Sequence, residues 1–317
     1  MSPDLHDDSD AFLSEVCWHY FVNEMTQAEV ARALGVTRLR VNQAIQRARQ
    51  LGFVKVQIES PLLARLELQE RLQADLGVKK VLVAPAHRDA YDCHVPAGAA
   101  LAKYLVECLK TGSWSKIGVA WGMTLQCAAE RIARQPQPGL EIVSMIGGTT
   151  TGASFNAFGI ASGFAERFDA HYSLLAAPIY LSEGVDRDVF LSQEIFRSHF
   201  EKCRALDAAV LVVGDVSPRS YLVSNGLPKE VAPGDLIAAG AVGDLLGHFL
   251  DRDGNEIPHP LNQRTVGVDL EMLASIPWKI LAAAGPHKVD IIRAATRRGL
   301  VDVLITDDVT AELLAEA

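Results

Sequence analysis

Residues 26–52 read TQAEVARALGVTRLRVNQAIQRARQLG, and this stretch decides the fold of the N-terminal part of the chain. Thr26 is a helix N-cap, and Glu29 three residues later completes a capping box. The spacing predicts a helix from Gln27 to Leu34. Gly35 follows, where the left-handed backbone of a tight turn costs a glycine least. Thr37 caps a second helix, Arg38 to about Leu51, which Gly52 stops. Val30, Ala31, Leu34, Val36, Val41, Ala44 and Ile45 fall on the facing sides of the two helices. The small Ala31 allows their close approach. The pattern is that of a helix-turn-helix.

The charges point to a polyanionic partner. Arg32, Arg38, Arg40, Arg47, Arg49 and Lys55 lie between Val30 and Ile58, a stretch with no acidic residue, although the whole chain carries a net charge of −9. Arg38, Arg40, Asn42 and Gln43 fall on the first turns of the second helix, the turns that enter the major groove in this motif. Arginine pairs with guanine edges, and asparagine or glutamine with adenine. Arg47, Arg49 and Lys55 suit phosphates, which position without specifying. The candidate DNA-contacting residues are Thr26, Gln27, Thr37, Arg38, Arg40, Asn42, Gln43 and Arg47. The competing reading is a helical hairpin with a solvated basic face.

Working outward, residues 1–10 are acidic and polar and read as a flexible tail. The alternating run Phe53–Ile58 reads as a strand, half of a small wing. Ser60-Pro61 breaks the pattern, so the boundary is expected at 59–61, with a helical DNA-binding domain over 11–60 and an effector-binding and oligomerisation domain over 61–317. Residues 62–76 return to helix.

From Lys79 onward, short apolar runs alternate with helical ones. The strand candidates are Val81–Ala84, Lys116–Ala120, Glu141–Met145, Ser173–Ala176, Ala208–Val213, Lys279–Ala283 and Val301–Thr306. Helices are expected at Gly98–Leu109, Leu125–Ala133, Val289–Arg298 and Thr310–Ala315. This alternation predicts a doubly wound α/β domain, a mainly parallel sheet with helices on both faces. Ligands of such sheets bind at the carboxyl ends of the strands.

The chain has 317 residues, 49% hydrophobic and 22% charged, enough for two globular domains. Its acidic balance argues against a general nucleic-acid coat and leaves room for a local basic patch. Cys17, Cys93, Cys108, Cys127 and Cys203 form no CxxC motif and no metal-ligand spacing with a histidine, as expected of buried thiols in a reducing cytoplasm. No metal and no cofactor is expected. Residues 1–10 lack the basic start and apolar core of a signal peptide, and no uninterrupted apolar run reaches membrane-spanning length, so a cytoplasmic protein is expected.

Several blocks resemble the SorC family of sugar-responsive regulators. They are Trp18-His19-Tyr20, Thr26–Ala31, Leu34–Arg38 and Ala48-Arg49 in the first part. In the second they are Ile117–Leu125, Ile146-Gly147-Gly148, Ala176-Ala177-Pro178, Gly240–Asp244, Asp251–Gly254, Ala284–Lys288 and Leu304–Asp307. Their order covers almost the whole chain from about Phe12. The resemblance implies a C-terminal fold like that of sugar-phosphate isomerases and glucosamine-phosphate deaminases. It also implies a homo-oligomer, typically a tetramer. The implied partners are operator double-stranded DNA and a sugar, polyol or sugar-phosphate effector. The family often carries a hydroxyl or basic residue where this chain has Met123, a departure that leaves room for an uncharged polyol.

The candidate effector residues come from the loops after the strands. Gly122, Met123 and Thr124 open a helix, whose free amides favour anions; the alternative is a plain turn. Gly148 and Thr149 belong to the hydroxyl-rich loop Gly147–Gly152, which either binds ligand hydroxyls or merely turns. Asp244 suits bidentate bonding to vicinal hydroxyls, or caps a following helix. Lys288 is placed to meet a phosphate or sugar oxygen, or is a surface lysine. Asp215 and Asn225 are candidates for the rim, and the aromatic residues Trp114, Trp278, Phe155, Phe158, Phe164 and Phe168 for core or interface. The expected function is a DNA-binding regulator of a carbohydrate or polyol operon, not an enzyme. The alternatives are an isomerase- or deaminase-like enzyme with an accessory helical domain, for which a general acid beside Asp244 is missing, and a constitutive DNA-binding protein.

Overall fold

A computed structural model describes residues 9–54, 63–112, 114–149 and 155–316. Residues 1–8 of the expected tail, 55–58 of the expected wing strand, the expected boundary at 59–61 and the loop residues Thr150–Gly152 lie outside the described residues. Phe53 and Val54 are described, and they form a bend rather than the start of a strand. The chain divides into two compact units, Met1–Leu63 and Ala64–Ala317.

The first unit contains three α-helices, α1 (Asp10–Cys17), α2 (Gln27–Leu34) and α3 (Arg38–Gln50). The capping box forms in full: Glu29 Oε2 accepts from Thr26 N at 2.8 Å, and Thr26 Oγ1 accepts from Glu29 N at 3.4 Å. Gly35 takes φ +64°, and Thr37 Oγ1 accepts from Arg40 N at 3.2 Å to start α3. Residues 41, 44, 45 and 48 repeat at helical spacing, so Val41, Ala44, Ile45 and Ala48 face inward against Phe12, Leu13 and Val16 of α1 and Val30 and Ala31 of α2. Three helices are the smallest set that buries such faces on all sides.

The second unit begins with α4 (Leu63–Leu76), β1 (Lys80–Ala84), α5 (His94–Lys110), β2 (Lys116–Val119), α6 (Met123–Arg131), β3 (Glu141–Ser144), α7 (Ala157–Phe168) and β4 (His171–Ser173). It continues with α8 (Arg187–Leu191), α9 (Glu194–Arg204), β5 (Ala208–Leu211), β6 (Val213–Gly214), α10 (Pro233–Ala238), β7 (Gly243–Leu245), β8 (His248–Leu250), α11 (Pro260–Gln263) and α12 (Leu270–Ser275). Strand β9 (Trp278–Ala282), α13 (Val289–Arg297), β10 (Val303–Asp307) and α14 (Asp308–Glu316) complete it.

Seven strands form one sheet in the order β1-β10-β9-β5-β2-β3-β4, and every neighbouring pair is parallel. The central strands are mostly apolar, as a sheet covered on both faces requires: Ala208–Leu211 and Val303–Asp307 are buried at every position, with only Thr306 and Asp307 polar at the carboxyl end of β10. After β2 the order runs outward through β3 and β4, then restarts on the other side of β2 with β5 and runs away through β9 and β10. The reversal leaves a crevice at the carboxyl ends of β2 and β5, where neighbouring loops diverge.

Two features depart from the sequence reading. The fourth strand is His171–Ser173 rather than Ser173–Ala176. It is an edge strand bonded only to β3, so polar residues serve, and the apolar run that follows leaves the sheet to bury Leu175 in the core. The second is a small antiparallel sheet, β6-β7-β8, which carries Asp244 in its middle strand. No helix follows Asp244. The chain turns through Leu246 (φ +53°) and Gly247 (φ +78°) straight into β8, so the helix-capping alternative for this carboxylate falls.

Candidate functional site

Beyond Val119 the chain leaves β2 through Trp121 and Gly122. Gly122 adopts φ +129°, a conformation that side chains rarely accept, and its N–H donates to Phe155 O at 2.8 Å. Helix α6 starts immediately afterwards. Its Leu125 and Gln126 amides return to Gly122 O, so Met123 and Thr124 stand on the first turn. Beyond Leu211 the chain leaves β5 through Val212 into the small sheet. Between these exits lies a cavity of about 250 Å³, lined by Trp121–Thr124, Val212–Asp215, Arg219–Leu222, Asp244, His287 and Lys288, among others.

Two opposite charges face this cavity from within the protein. Lys288 is only 8% exposed, yet its ammonium makes no hydrogen bond or ion pair with the side chains of the described residues. Burial pulls its ammonium below the ordinary lysine range, opposed by the nearby Cys93, Asp215 and Asp244. Asp244 is also buried. Desolvation pushes its carboxyl up to about 7, against the Gly247 N–H that it accepts at 3.2 Å and the charge of Lys288. Gly214 packs against this carboxylate so closely that a Cβ there would meet Asp244 Oδ1 at 2.2 Å. A buried cation and a buried carboxyl, incompletely satisfied by the protein, are the groups a polar ligand repays for leaving water.

The opposite wall comes from the start of α5. His94 Nδ1 lies 3.1 Å from Thr124 Oγ1, tying α5 to α6. Burial and Lys288 together lower its pKa, so the imidazole is neutral near pH 7, and His287 is lowered for the same two reasons. Cys93 lines the cavity beside His94, its thiol pushed up chiefly by burial. The sequence reading placed no cysteine near a histidine at metal-ligand spacing; the structure brings donor atoms of Asp92, Cys93 and His94 within 4.8 Å of one another. The three are consecutive residues at the start of α5, and the His94 imidazole is already engaged by Thr124. All five cysteines are free thiols. An aromatic wall closes one side. Tyr221 meets Trp121 and Phe155 edge to face, with ring centroids 5.3 and 4.7 Å apart.

Of the seven candidate effector residues, Gly122, Met123, Thr124, Asp244 and Lys288 line the cavity, as does Asp215. Gly148 and Thr149 do not. Gly148 bonds to Ala177 and Ile179 in an isolated bridge region under the Phe158 ring, and Thr149 lies beside Gly226. Asn225 bonds to Tyr221 O and Ser224 away from the cavity wall. Sequence reasoning missed His94, Cys93, Arg219, Ser220 and Tyr221. The first two open a helix rather than end a strand, and the other three follow β6, a strand of two residues that carries almost no pattern.

In the helical unit, residues 41, 44, 45 and 48 of α3 are buried, while 38, 39, 43, 46, 47, 49 and 50 are exposed. Thr26 and Thr37 serve as caps, and Gln27 Oε1 accepts from Arg38 Nε at 3.4 Å, linking the first turns of α2 and α3. Gln43 and Arg47 are exposed, and Asn42 is half-buried. Arg40 is half-buried as well: its guanidinium stands 4.9 Å from the centroid of the Phe12 ring. No helix among the described residues is long and apolar enough to cross a membrane.

A sugar-binding domain family, Sugar-bind, matches residues 60–316. The erythritol catabolism regulatory protein EryD of Brucella abortus is 29% identical over 309 residues, covering 97% of either chain. The transcriptional regulator LsrR of Escherichia coli K12 is 26% identical over 304 residues, covering 94% of this chain and 92% of that protein. Among solved structures, the full-length sorbitol operon regulator SorC of Klebsiella pneumoniae superposes with a TM-score of 0.74 at 23% identity, over 96% of this chain and 98% of its own. A domain of a sugar-binding regulator from Arthrobacter aurescens TC1 gives 0.72 at 23% identity, over 81% of this chain and 99% of its own. The full-length relatives are named as regulators rather than enzymes, and the chain belongs to the Sugar-bind family of sugar-binding domains.

Proposed function

We propose that the α/β unit is the sensor of a small polyhydroxylated effector, a polyol, a sugar or its phosphate ester, and that the helical unit binds operator DNA. One observation carries the sensor reading: Lys288, buried and with its ammonium in no hydrogen bond or ion pair among the described residues, faces a cavity that also holds Asp244. Asp244 suits vicinal hydroxyls, while Lys288 and the first-turn amides of α6 suit a phosphate or the oxygen at the far end of the ligand. The name of EryD favours a polyol. The sheet with its reversed strand order supports the doubly wound, isomerase-like fold that the resemblance implies. Domain limits of 11–60 and 61–317, a homotetramer and a cytoplasmic location belong to the same reading, and sedimentation tests the second of these. Gly148 and Thr149 stay candidate effector contacts of this reading, although they lie off the cavity wall.

The isomerase-like alternative draws support from Asp244, since a carboxyl titrating near neutrality suits a general base. Regulator names on full-length relatives weigh more heavily than a single perturbed group.

The test is operator binding by the full-length protein, followed by fluorescence anisotropy at fixed salt on DNA from upstream of the gene. Erythritol, other polyols, sugars and their phosphates are titrated in turn. A shift in affinity of tenfold or more by one of them is the expected result. DNA binding that none of them moves would count against the sensor, and turnover of a sugar phosphate would favour the enzyme.

A further inference from the structure

The open face of α3 carries an apolar side chain as well as polar ones. Leu39 is 67% exposed on the first turn of α3. It lies on one face with Gln43, Gln46, Arg47 and Gln50, at spacings of three and four residues, opposite the buried Val41, Ala44, Ile45 and Ala48. An exposed leucine between two arginines gains nothing from water and nothing from the core of its own unit. Meanwhile Arg40 lies against Phe12, and Arg49 stands 5.7 Å from the Phe21 ring, so two of the helix's four arginines pack against aromatic residues of the same unit. The face that carries Leu39 holds neutral amides, Arg47 and this one apolar side chain, with the exposed Arg38 and Arg49 to its sides. No acidic residue occurs between Val30 and Ile58 to repel a phosphate backbone from that face.

We propose that Leu39 is a specificity-determining residue that reads the 5-methyl group of a thymine in the operator's major groove. The methyl is the one apolar group that a base pair displays there, and an exposed aliphatic side chain at the start of a recognition helix is complementary to it. Gln43, one turn further along, is suited to the adenine edge of the same or the next pair. The operator therefore has an A·T pair under the first turn of α3. The proposal rests on the DNA-binding reading above and names what that surface recognises.

The experiment selects a duplex with the full-length protein from a random-sequence pool, then replaces each thymine by deoxyuridine in turn, which removes only the methyl. Affinities of the wild type and Leu39→Ala are measured at fixed salt. At one thymine, the uridine duplex binds the wild type about fourfold more weakly, the worth of one buried methyl, and binds Leu39→Ala no worse than the thymine duplex does. Leu39→Met, which keeps an apolar tip, retains the discrimination and covers the case in which the alanine variant fails to fold. If wild type and Leu39→Ala lose equally at every position, Leu39 does not read a methyl and the proposal falls. If no duplex is enriched above the starting pool, the DNA-binding reading itself falls, a distinct result.

Discussion

The two units put their candidate functional groups in opposite places. In the helical unit they are on the outside, carried by one continuous helix of 13 residues, and the inward face of that helix is an apolar lattice. In the α/β unit they are on the inside, gathered at a crevice from segments as far apart in the chain as His94, Gly122, Asp244 and Lys288. A surface that meets DNA needs solvated charge and rigid spacing, which a short capped helix supplies cheaply. A cavity that meets a small polar molecule needs charge without water, which only a large sheet can pay for by burying apolar area elsewhere. Two consequences follow: the units fail separately, and they respond differently to pH.

The largest effect expected is from Phe12→Ala. Phe12 is fully buried against α2 and α3 and also carries the Arg40 guanidinium. Its loss costs roughly 3–5 kcal/mol, enough to unfold a three-helix unit. Circular dichroism melts and operator binding should both show the loss, while calorimetric titration of the effector stays unchanged. Loss of effector binding as well would break the claim that the units fail separately.

Next comes the pH dependence of the α/β unit. Asp244 has an ordinary value of 3.8 and is held near 7 in the folded protein, so the folded state binds this proton more tightly than the unfolded chain. Its contribution to stability is therefore greatest at acid pH and declines as pH rises from about 4 to about 7. Between pH 5 and pH 8 the wild type should lose roughly 2–3 kcal/mol that Asp244→Asn does not lose. Urea unfolding of both proteins at the two pH values checks this, and parallel losses would show that the carboxyl is better solvated than its position implies. The helical unit has no buried carboxylate among its described residues and supplies the flat control.

Thr37→Ala should give the smallest effect, about 1 kcal/mol, by removing the oxygen that accepts the Arg40 amide at the start of α3. A melt of the helical transition measures it. A variant as stable as the wild type would mean that the cap is redundant with the helix packing.

The same contrast explains what could be read before the fold was known. The helix-turn-helix is written in local signals, and Thr26 with Glu29, Gly35 and Thr37 act in the structure within three or four residues of where they stand. Arg40 shows the limit: its charge suggested a base contact, but the ring it lies against is 28 positions earlier in the sequence. In the α/β unit, Gly122, Thr124 and Lys288 were legible because each follows a strand, and ligands gather there. Asp244 was found for its charge in an apolar run, although its strand was not. His94, Arg219 and Tyr221 reach the cavity only because the strand order sets β5 beside β2, and strand order is a property of the whole sheet. Strand β4 was misplaced by two residues because an edge strand needs no apolar run, so the hydrophobic signal marked the core segment beside it.

The central claim is that the cavity around Lys288 controls the helical unit. The direct measurement compares wild type and Lys288→Met on the selected duplex, with and without the compound that shifts wild-type affinity. The account predicts equal affinity of the two proteins for DNA in its absence. In its presence, the half-effective concentration should rise about thirtyfold in the variant, the worth of one hydrogen bond to a charged group. A variant that responds at the wild-type concentration would place the effector elsewhere and contradict the account.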